Sequence, residues 1–408
     1  MANGITLRLS VMMFLEYVVW GSWLPLLALY LSDVLHFSGW QIAWIFGTQA
    51  IAAVVGLFVG GQVADRFMST EKVLAVSHAI AGLAMLSLAF TTTFWPFFII
   101  MLVYQLVFMP TLSLTNAIVF HHVADAQKDF GRIRLWGTIG WIAASWPFYF
   151  LLEGKTGADL HGALPSIFWV SGLASIALAA FSVSLPATPP ARAEGAKSAP
   201  LEAIRLLAIP AFLVLFIVTF LDAVVHQAYF QWTSPFLAHA GLPANWIMPA
   251  MSIGQIAEIG TMALLGMVLA RLGWRTTMAV GIAAHAIRFF IYALGEPLWL
   301  IVAVNVVHGM AYAFFFAAVY IFIDERFPKD VRASAQGLFN LLILGIGPFF
   351  GGLLWGWLGD VLRTPEGQVD FQRLFLGPAW LAVIATVLLI VAFRPDAVGK
   401  REAAPLSR

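Results

Sequence analysis

Long apolar stretches recur along this chain of 408 residues, and they restrict its folds more than any other feature. A helix needs about 20 apolar residues to cross a bilayer's hydrocarbon core. By that measure spans lie near 8–31, 41–63, 72–91, 95–120, 134–153 and 164–185, then near 209–233, 247–270, 275–294, 297–323, 331–359 and 373–393. In lipid every backbone amide needs a partner inside the protein, so runs of this length must be helical. Residues are 61% hydrophobic and 11% charged. So few charges cannot cover a water-soluble body of this size, and the surface must face lipid. The expected fold is an all-α membrane protein of twelve transmembrane helices.

The first span is too long for a signal-peptide core and lacks a cleavage site, so it reads as a retained helix. The absence of cysteine excludes disulfides and thiolate metal sites. The interior segment 186–205 contains Pro-Ala-Thr-Pro-Pro followed by Arg192, Glu194 and Lys197, and reads as a cytoplasmic linker. It separates an N-terminal six-helix bundle (1–185) from a C-terminal one (206–393), with a tail over 394–408. Basic residues collect on the cytoplasmic side of a membrane protein. With both termini inside, every Lys and Arg falls there except Lys155, Arg363, Arg373 and the intramembrane Arg288. The expected location is the bacterial inner membrane. A net charge of +1 gives no reason to expect nucleic acid as a partner.

Two loops repeat at equivalent places in the halves. One runs Gly60-Gly61-Gln-Val-Ala-Asp65-Arg66, and the other Gly266-Met-Val-Leu-Ala270-Arg271-Leu-Gly273-Trp-Arg275. Glycine permits close helix approach, and Asp65, Arg66 and Arg271 can lock helix ends by charge pairing. The repeat resembles the loop signature of the major facilitator superfamily. That implies two pseudo-symmetric six-helix halves rocking about a central site, with these loops as gates.

Polar side chains inside the spans carry the functional reading. A charge at mid-bilayer costs roughly 2.5–3.5 kcal/mol on insertion scales, so each one demands a reason. Glu16, Asp222, Glu258 and Arg288 lie deep in their spans, joined by His78, His226, His285 and His308. Residues three, four or seven apart share a helix face. Asp222, His226 and Tyr229 therefore form one stripe on the seventh span, and Gln255 and Glu258 are neighbours on the eighth. Asn305, His308, Tyr312 and Phe316 align on the tenth. Arg134, Thr138 and Trp141 do so on the fifth, and Glu16 and Trp20 on the first. Several stripes suit a water-filled path better than scattered pairs. Arg288 has Glu258 as a candidate ion-pair partner, while His78, a lone histidine, reads as structural.

Searches for other chemistry find nothing. There is no nucleotide-phosphate loop, no metal-ligand spacing and no nucleophile beside a base, so neither an enzyme nor a resident cofactor is expected. Gly345-Ile-Gly347-Pro348-Phe-Phe-Gly351-Gly352 reads as a packing or hinge element.

Longer strings resemble one family. Glu16-Tyr-Val-Val-Trp20-Gly21-Ser22-Trp23, Met109-Pro110-Thr111-Leu112, Arg134-Leu-Trp136-Gly137-Thr138-Ile-Gly140, Ser252-Ile-Gly-Gln255-Ile-Ala-Glu258 and Val331-Arg332-Ala-Ser-Ala-Gln336-Gly337 are similar to those of the bacterial nucleoside:proton symporters of the facilitator superfamily. The resemblance implies that Arg134, Thr138 and Trp141, together with Gln255 and Glu258, lie at the nucleoside, and that Tyr312 holds an aromatic position. Glu16 stands where the family has Gln, and Ala313 where it has an acid.

The expected function is proton-coupled import of nucleosides or related polar ring compounds by alternating access. Gln255, His226 and Asn305 would hydrogen-bond the substrate, Trp141, Tyr229, Tyr312 and Phe316 would stack on it, and His308 belongs to the same substrate-binding set. Glu258, then Glu16 and Asp222, are the proton-coupling candidates, since a buried carboxylate holds its proton until its surroundings hydrate. The expected partners are substrate, protons and lipid, and the expected state is a monomer. Sugar or glycoside symport and drug–proton exchange are the alternatives on the same scaffold. A receptor or enzyme without transport would predict an added soluble domain or a catalytic constellation, and the tails, Met1 to Leu7 and Arg394 to Arg408, are expected to be too short for such a domain.

Overall fold

A computed structural model describes residues 2–64, 68–123, 126–189, 206–327 and 329–395, with backbone only for 2–3, 56–64, 126–128, 206 and 329–334. Among the described residues the chain is helical, apart from one isolated bridge between Arg363 and Val369. In chain order the main helices are α1 (Gly4–Val34), α2 (Gly39–Ala64), α3 (Thr70–Leu88), α4 (Phe94–His122), α5 (Ala126–Ala143) and α6 (Ser145–Leu151). They continue as α7 (Gly157–Ser182), α8 (Pro210–His239), α9 (Ala244–Leu294), α10 (Leu298–Arg326), α11 (Ala335–Val361) and α12 (Phe371–Ala392). Nine of these, all but α2, α5 and α6, are long and apolar enough to cross a membrane.

Helix boundaries differ from the sequence expectation where the backbone breaks. The eighth and ninth expected spans run on within α9, interrupted at Gly273 with φ 70° and ψ 171°. Only glycine takes that conformation without steric cost, which is how the basic loop turns in so few residues. The fifth expected span is divided between α5 and α6. Large apolar side chains such as Phe90, Trp95, Phe150, Trp299 and Val391 are exposed, as a lipid-facing surface requires.

Contacts divide the chain into two compact units, Met1–Glu194 with Phe230–Gln255, and Gly195–Tyr229 with Ile256–Arg408. In the first, α1 packs on α5 and α7, α3 on α4 and α7, and α2 on α4. Apolar surface gives no advantage to helix association in lipid, so close contact through small residues replaces it. Gly140 sits directly on the backbone of Phe14, where an added methyl group would overlap the carbonyl oxygen. A methyl group at Gly137 would lie 2.7 Å from the Tyr17 ring, and one at Gly21 would lie 3.1 Å from Trp141 Cα. The glycines of the Gly137-Thr-Ile-Gly140 string are therefore the seam between α1 and α5. Gly82 and Gly172 make a similar seam between α3 and α7.

In the second unit, Gly309 brings α10 against the backbone of Glu258 on α9, and Thr261 Oγ1 donates to the Gly309 carbonyl at 2.9 Å. The Gly-rich string of α11 packs on α8, with Gly351 close to Val224 and Trp355 Nε1 donating to the Val224 carbonyl at 2.7 Å. Helix α10 is irregular. It tightens to a 3₁₀ turn at Val304–Val306 and widens to a π turn at Tyr312–Ala317. Such π turns inside α-helices frequently mark functional sites.

Candidate functional site

Each unit encloses its own polar cluster. In the second unit the centre is Arg288 on α9, completely buried. Its Nη1 donates to His308 Nδ1 and its Nη2 to His285 Nδ1, both at 2.7 Å. The guanidinium carbon also lies 4.3 Å from the Tyr229 ring centroid and 4.9 Å from that of Phe289. A guanidinium has only donors, so both imidazoles must accept at Nδ1, and each neutral ring keeps its hydrogen on Nε2. One fixed cation thus sets the tautomer of two histidines. His285 turns its Nε2 toward Asp222 Oδ2 at 3.8 Å, an ion-pair distance too long for a hydrogen bond. The expected pairing of Arg288 with Glu258 gives way to this histidine fork.

Aromatic rings extend the cluster. His308 stacks on Tyr229 at 4.6 Å and on His226 at 5.2 Å, and Phe316 meets His226 edge-on at 5.3 Å. The stripes read on the seventh and tenth spans therefore come together, with His285 and Arg288 between them. Tyr312 lies 6.2 Å from Phe316, at the start of the π turn. Asn305 is tied elsewhere. Its Oδ1 accepts from Tyr292 at 2.8 Å, and its Nδ2 donates to the carbonyls of Ile301 and Val302. Both ends of its amide are thus engaged within the unit. Glu258 is half-buried on α9 beside Gly309.

The first unit holds Glu16 on α1, fully buried. Its Oε2 lies 2.8 Å from His78 Nε2, and its Oε1 accepts from Thr111 Oγ1 at 2.7 Å. One turn further along α1, Trp20 meets Trp141 at 5.4 Å and Phe108 at 6.1 Å. Arg134 lies over the Tyr17 ring at 4.2 Å. Arg134 and Trp141 thus share the α1–α5 seam, and Thr138 is half-buried beside them. Gln255 is nearly buried, and its Oε1 makes no hydrogen bond among the described residues.

The sequence reading treats His78 as structural and does not reach Ser175, His285 or Tyr292 as site members. Their polarity inside apolar spans is the signal available. The partners of His78 and Ser175 are distant in sequence, 62 residues away for His78 and Glu16, so no local spacing reveals them; His285 lies three residues before Arg288, a spacing that could have found it. Of the loop residues, Arg271 is exposed, while Asp65 and Arg66 lie outside the described residues, as does most of the expected linker. Among the described residues no group of three or more His, Asp or Glu could hold a metal ion.

Comparison with known proteins agrees with this architecture. The nucleoside H+ symporter family model matches residues 3–397. YegT of Escherichia coli (strain K12) is 35% identical over 406 residues, covering 95% of this chain and 94% of that one. The xanthosine permease of the same organism is 29% identical over 412 residues, covering 96% of each. The crystal structure of the nucleoside transporter NupG superposes with a TM-score of 0.85 at 27% identity, covering 96% of this chain and 99% of that one. A near full-length family match, on a helical fold with buried polar clusters, makes this chain a multi-pass inner-membrane transporter that couples nucleoside import to protons, a member of the nucleoside H+ symporter family.

Proposed function

We propose that the ring surface of Tyr229, His226, His308 and Phe316 reads the nucleoside base in the second unit, with Glu258 and Tyr312 contributing hydrogen bonds and Arg288 holding the surface rigid. One observation carries this reading. The Arg288 fork fixes His308 as an Nε2–H donor while its ring lies stacked on Tyr229. A heterocyclic base offers both a π-face and acceptor atoms along one edge, and a stacked ring with a fixed donor suits both. Base–aromatic stacking is worth about 1–3 kcal/mol per base in nucleic-acid complexes, enough to anchor a weak site with a few hydrogen bonds. In the first unit Arg134, Thr138 and Trp141 are substrate contacts, with Gln255 one turn from Glu258. The buried carboxylates Glu258, Glu16 and Asp222 carry the coupling proton. The architecture is twelve transmembrane helices in two six-helix halves, monomeric, with both termini and the Asp65, Arg66 and Arg271 loops cytoplasmic, working by alternating access.

Purified protein in vesicles tests this. Labelled uridine or adenosine should accumulate under an imposed proton gradient and lose accumulation when a protonophore collapses it. His308→Leu and Tyr229→Ala should raise the half-saturating nucleoside concentration. Competition by sugars but not by nucleosides would move the assignment to the sugar reading. Unchanged half-saturation in both variants would remove the ring surface from the site.

A further inference from the structure

We infer that Glu16 and His78 form a one-proton store in the first unit, held by Ser175 and Thr111, and that this store supplies the proton that couples to transport. The inference deepens the proposal above and rests on its premise that intramembrane carboxylates carry the coupling proton. Nothing in the sequence pattern links these residues; the fold brings them together from α1, α3, α4 and α7.

Hydrogen-bond accounting allows two proton counts that differ by one. Ser175 has a single hydroxyl hydrogen and two acceptors for it, the His78 carbonyl at 2.9 Å and His78 Nδ1 at 3.0 Å. Turned to the carbonyl, the hydroxyl accepts Nδ1–H, and the 2.8 Å contact between His78 Nε2 and Glu16 Oε2 must then contain one more hydrogen. On the carboxyl that hydrogen gives a neutral acid beside a neutral imidazole; on the ring it gives a carboxylate beside an imidazolium, and the pair is neutral either way. Turned to Nδ1, the hydroxyl leaves Nε2–H to donate to a Glu16 carboxylate, and the pair carries one negative charge. Both side chains are completely buried, and every bond is satisfied in both states.

Among the described residues no other ionised group is in hydrogen-bond or ion-pair contact with Glu16 or His78. On the helices packed against α1, Tyr104 accepts from Trp23 Nε1 and Arg134 covers the Tyr17 ring. Glu71 and His122 are gathered around Thr188. Of the remaining charged and titratable groups on these helices, Arg8, Lys72, His121 and Arg132 are exposed at one end, Asp33, Asp159 and His161 are exposed too, and Asp129 is half-buried near the start of α5. Loss of the shared hydrogen therefore leaves a buried charge met only by His78, Thr111 and whatever water enters, and this geometry links the proton to the hydration of the site.

Thr111 serves both states. Its Oγ1 lies 2.7 Å from Glu16 Oε1 and 2.5 Å from the Phe108 carbonyl, and one hydrogen can satisfy only one of them. Turned to Glu16, the hydroxyl donates to Oε1 and stabilises the carboxylate; turned to Phe108, it leaves Oε1 to the neutral carboxyl, whose hydrogen lies toward His78 Nε2. Substrate can reach the store through packing. Trp20, one turn from Glu16, touches Trp141, and Gly140 rests on the backbone of Phe14. A ligand that displaces Trp141 thus displaces the segment of α1 that carries Glu16.

The test uses full-length protein in vesicles with two readouts. Counterflow exchanges labelled for unlabelled uridine and needs no net proton movement; accumulation under an imposed pH gradient does. Glu16→Gln and His78→Gln should retain counterflow while their accumulation ratio falls to one. Accumulation at the wild-type level in both variants overturns the store. If Glu258→Gln alone loses accumulation, the store fails and the broader carboxylate proposal stands; if all three accumulate, both fail. Should the buried variants lose counterflow through misfolding, infrared difference spectra of wild type and Thr111→Val decide. Nucleoside addition should change the protonated-carboxyl band of the wild type and shift it in Thr111→Val. No band, or a band that the valine leaves in place, refutes the inference.

Discussion

Replacing Arg288 by leucine tests the second cluster most severely. The change strands two buried imidazole acceptors, Nδ1 of His285 and of His308, each bonded at 2.7 Å in the native protein. A buried polar atom left unsatisfied costs roughly 1–3 kcal/mol, so the two together cost about 2–6 kcal/mol. Losing the guanidinium over Tyr229 and Phe289 adds roughly 1–2 kcal/mol. Against this, the leucine removes a cation that was expensive to bury. The balance expected when one member of a buried charged network is removed is a loss of about 3–5 kcal/mol. Arg288→Lys should fall between leucine and wild type, because a single ammonium cannot reproduce the planar fork that serves both rings. Asp222→Asn in the leucine background should recover part of the loss, since it removes the carboxylate left 3.8 Å from His285 without a cation nearby. Denaturation in detergent followed by tryptophan fluorescence, at fixed lipid content, measures the order of stabilities. A leucine variant as stable as wild type, or a lysine variant equal to wild type, would refute the fork as a structural centre.

Three further outcomes follow from the packing. Gly140→Ala should cost about 1–3 kcal/mol, because the methyl group forces α1 and α5 apart; Gly131→Ala on the same helix, with open space around it, should be neutral or mildly stabilising, and equal midpoints for the two would refute the seam. Trp355→Phe deletes the 2.7 Å bond to the Val224 carbonyl and should cost about 1 kcal/mol in the same denaturation assay. Arg134→Lys should weaken nucleoside binding, measured by isothermal calorimetry, because a lysine does not reproduce a flat cation over the Tyr17 ring; unchanged affinity would remove Arg134 from the substrate contacts.

By itself the sequence determined this protein's solvent, its helical architecture and its family. Hydropathy is a sum over neighbouring residues, so runs such as 373–393 announce a membrane helix whatever lies around them. Helical spacing is also local, and it groups Asp222, His226 and Tyr229 on one face and Asn305, His308, Tyr312 and Phe316 on another; the rings of His226, Tyr229, His308 and Phe316 do meet in the fold, while Asn305 bonds Tyr292. Only the tertiary structure decided which polar groups meet. Arg288 has His285 within local reach, three residues away on α9, but its bond to His308 became visible only once α9 and α10 were packed side by side. Only the fold set His78 2.8 Å from a carboxylate 62 residues earlier in the chain and beside a serine 97 residues later. The physical reason is range. Burial in lipid and helix periodicity act within a few residues, whereas the pairing that makes a buried charge tolerable is chosen by whichever helix packs alongside.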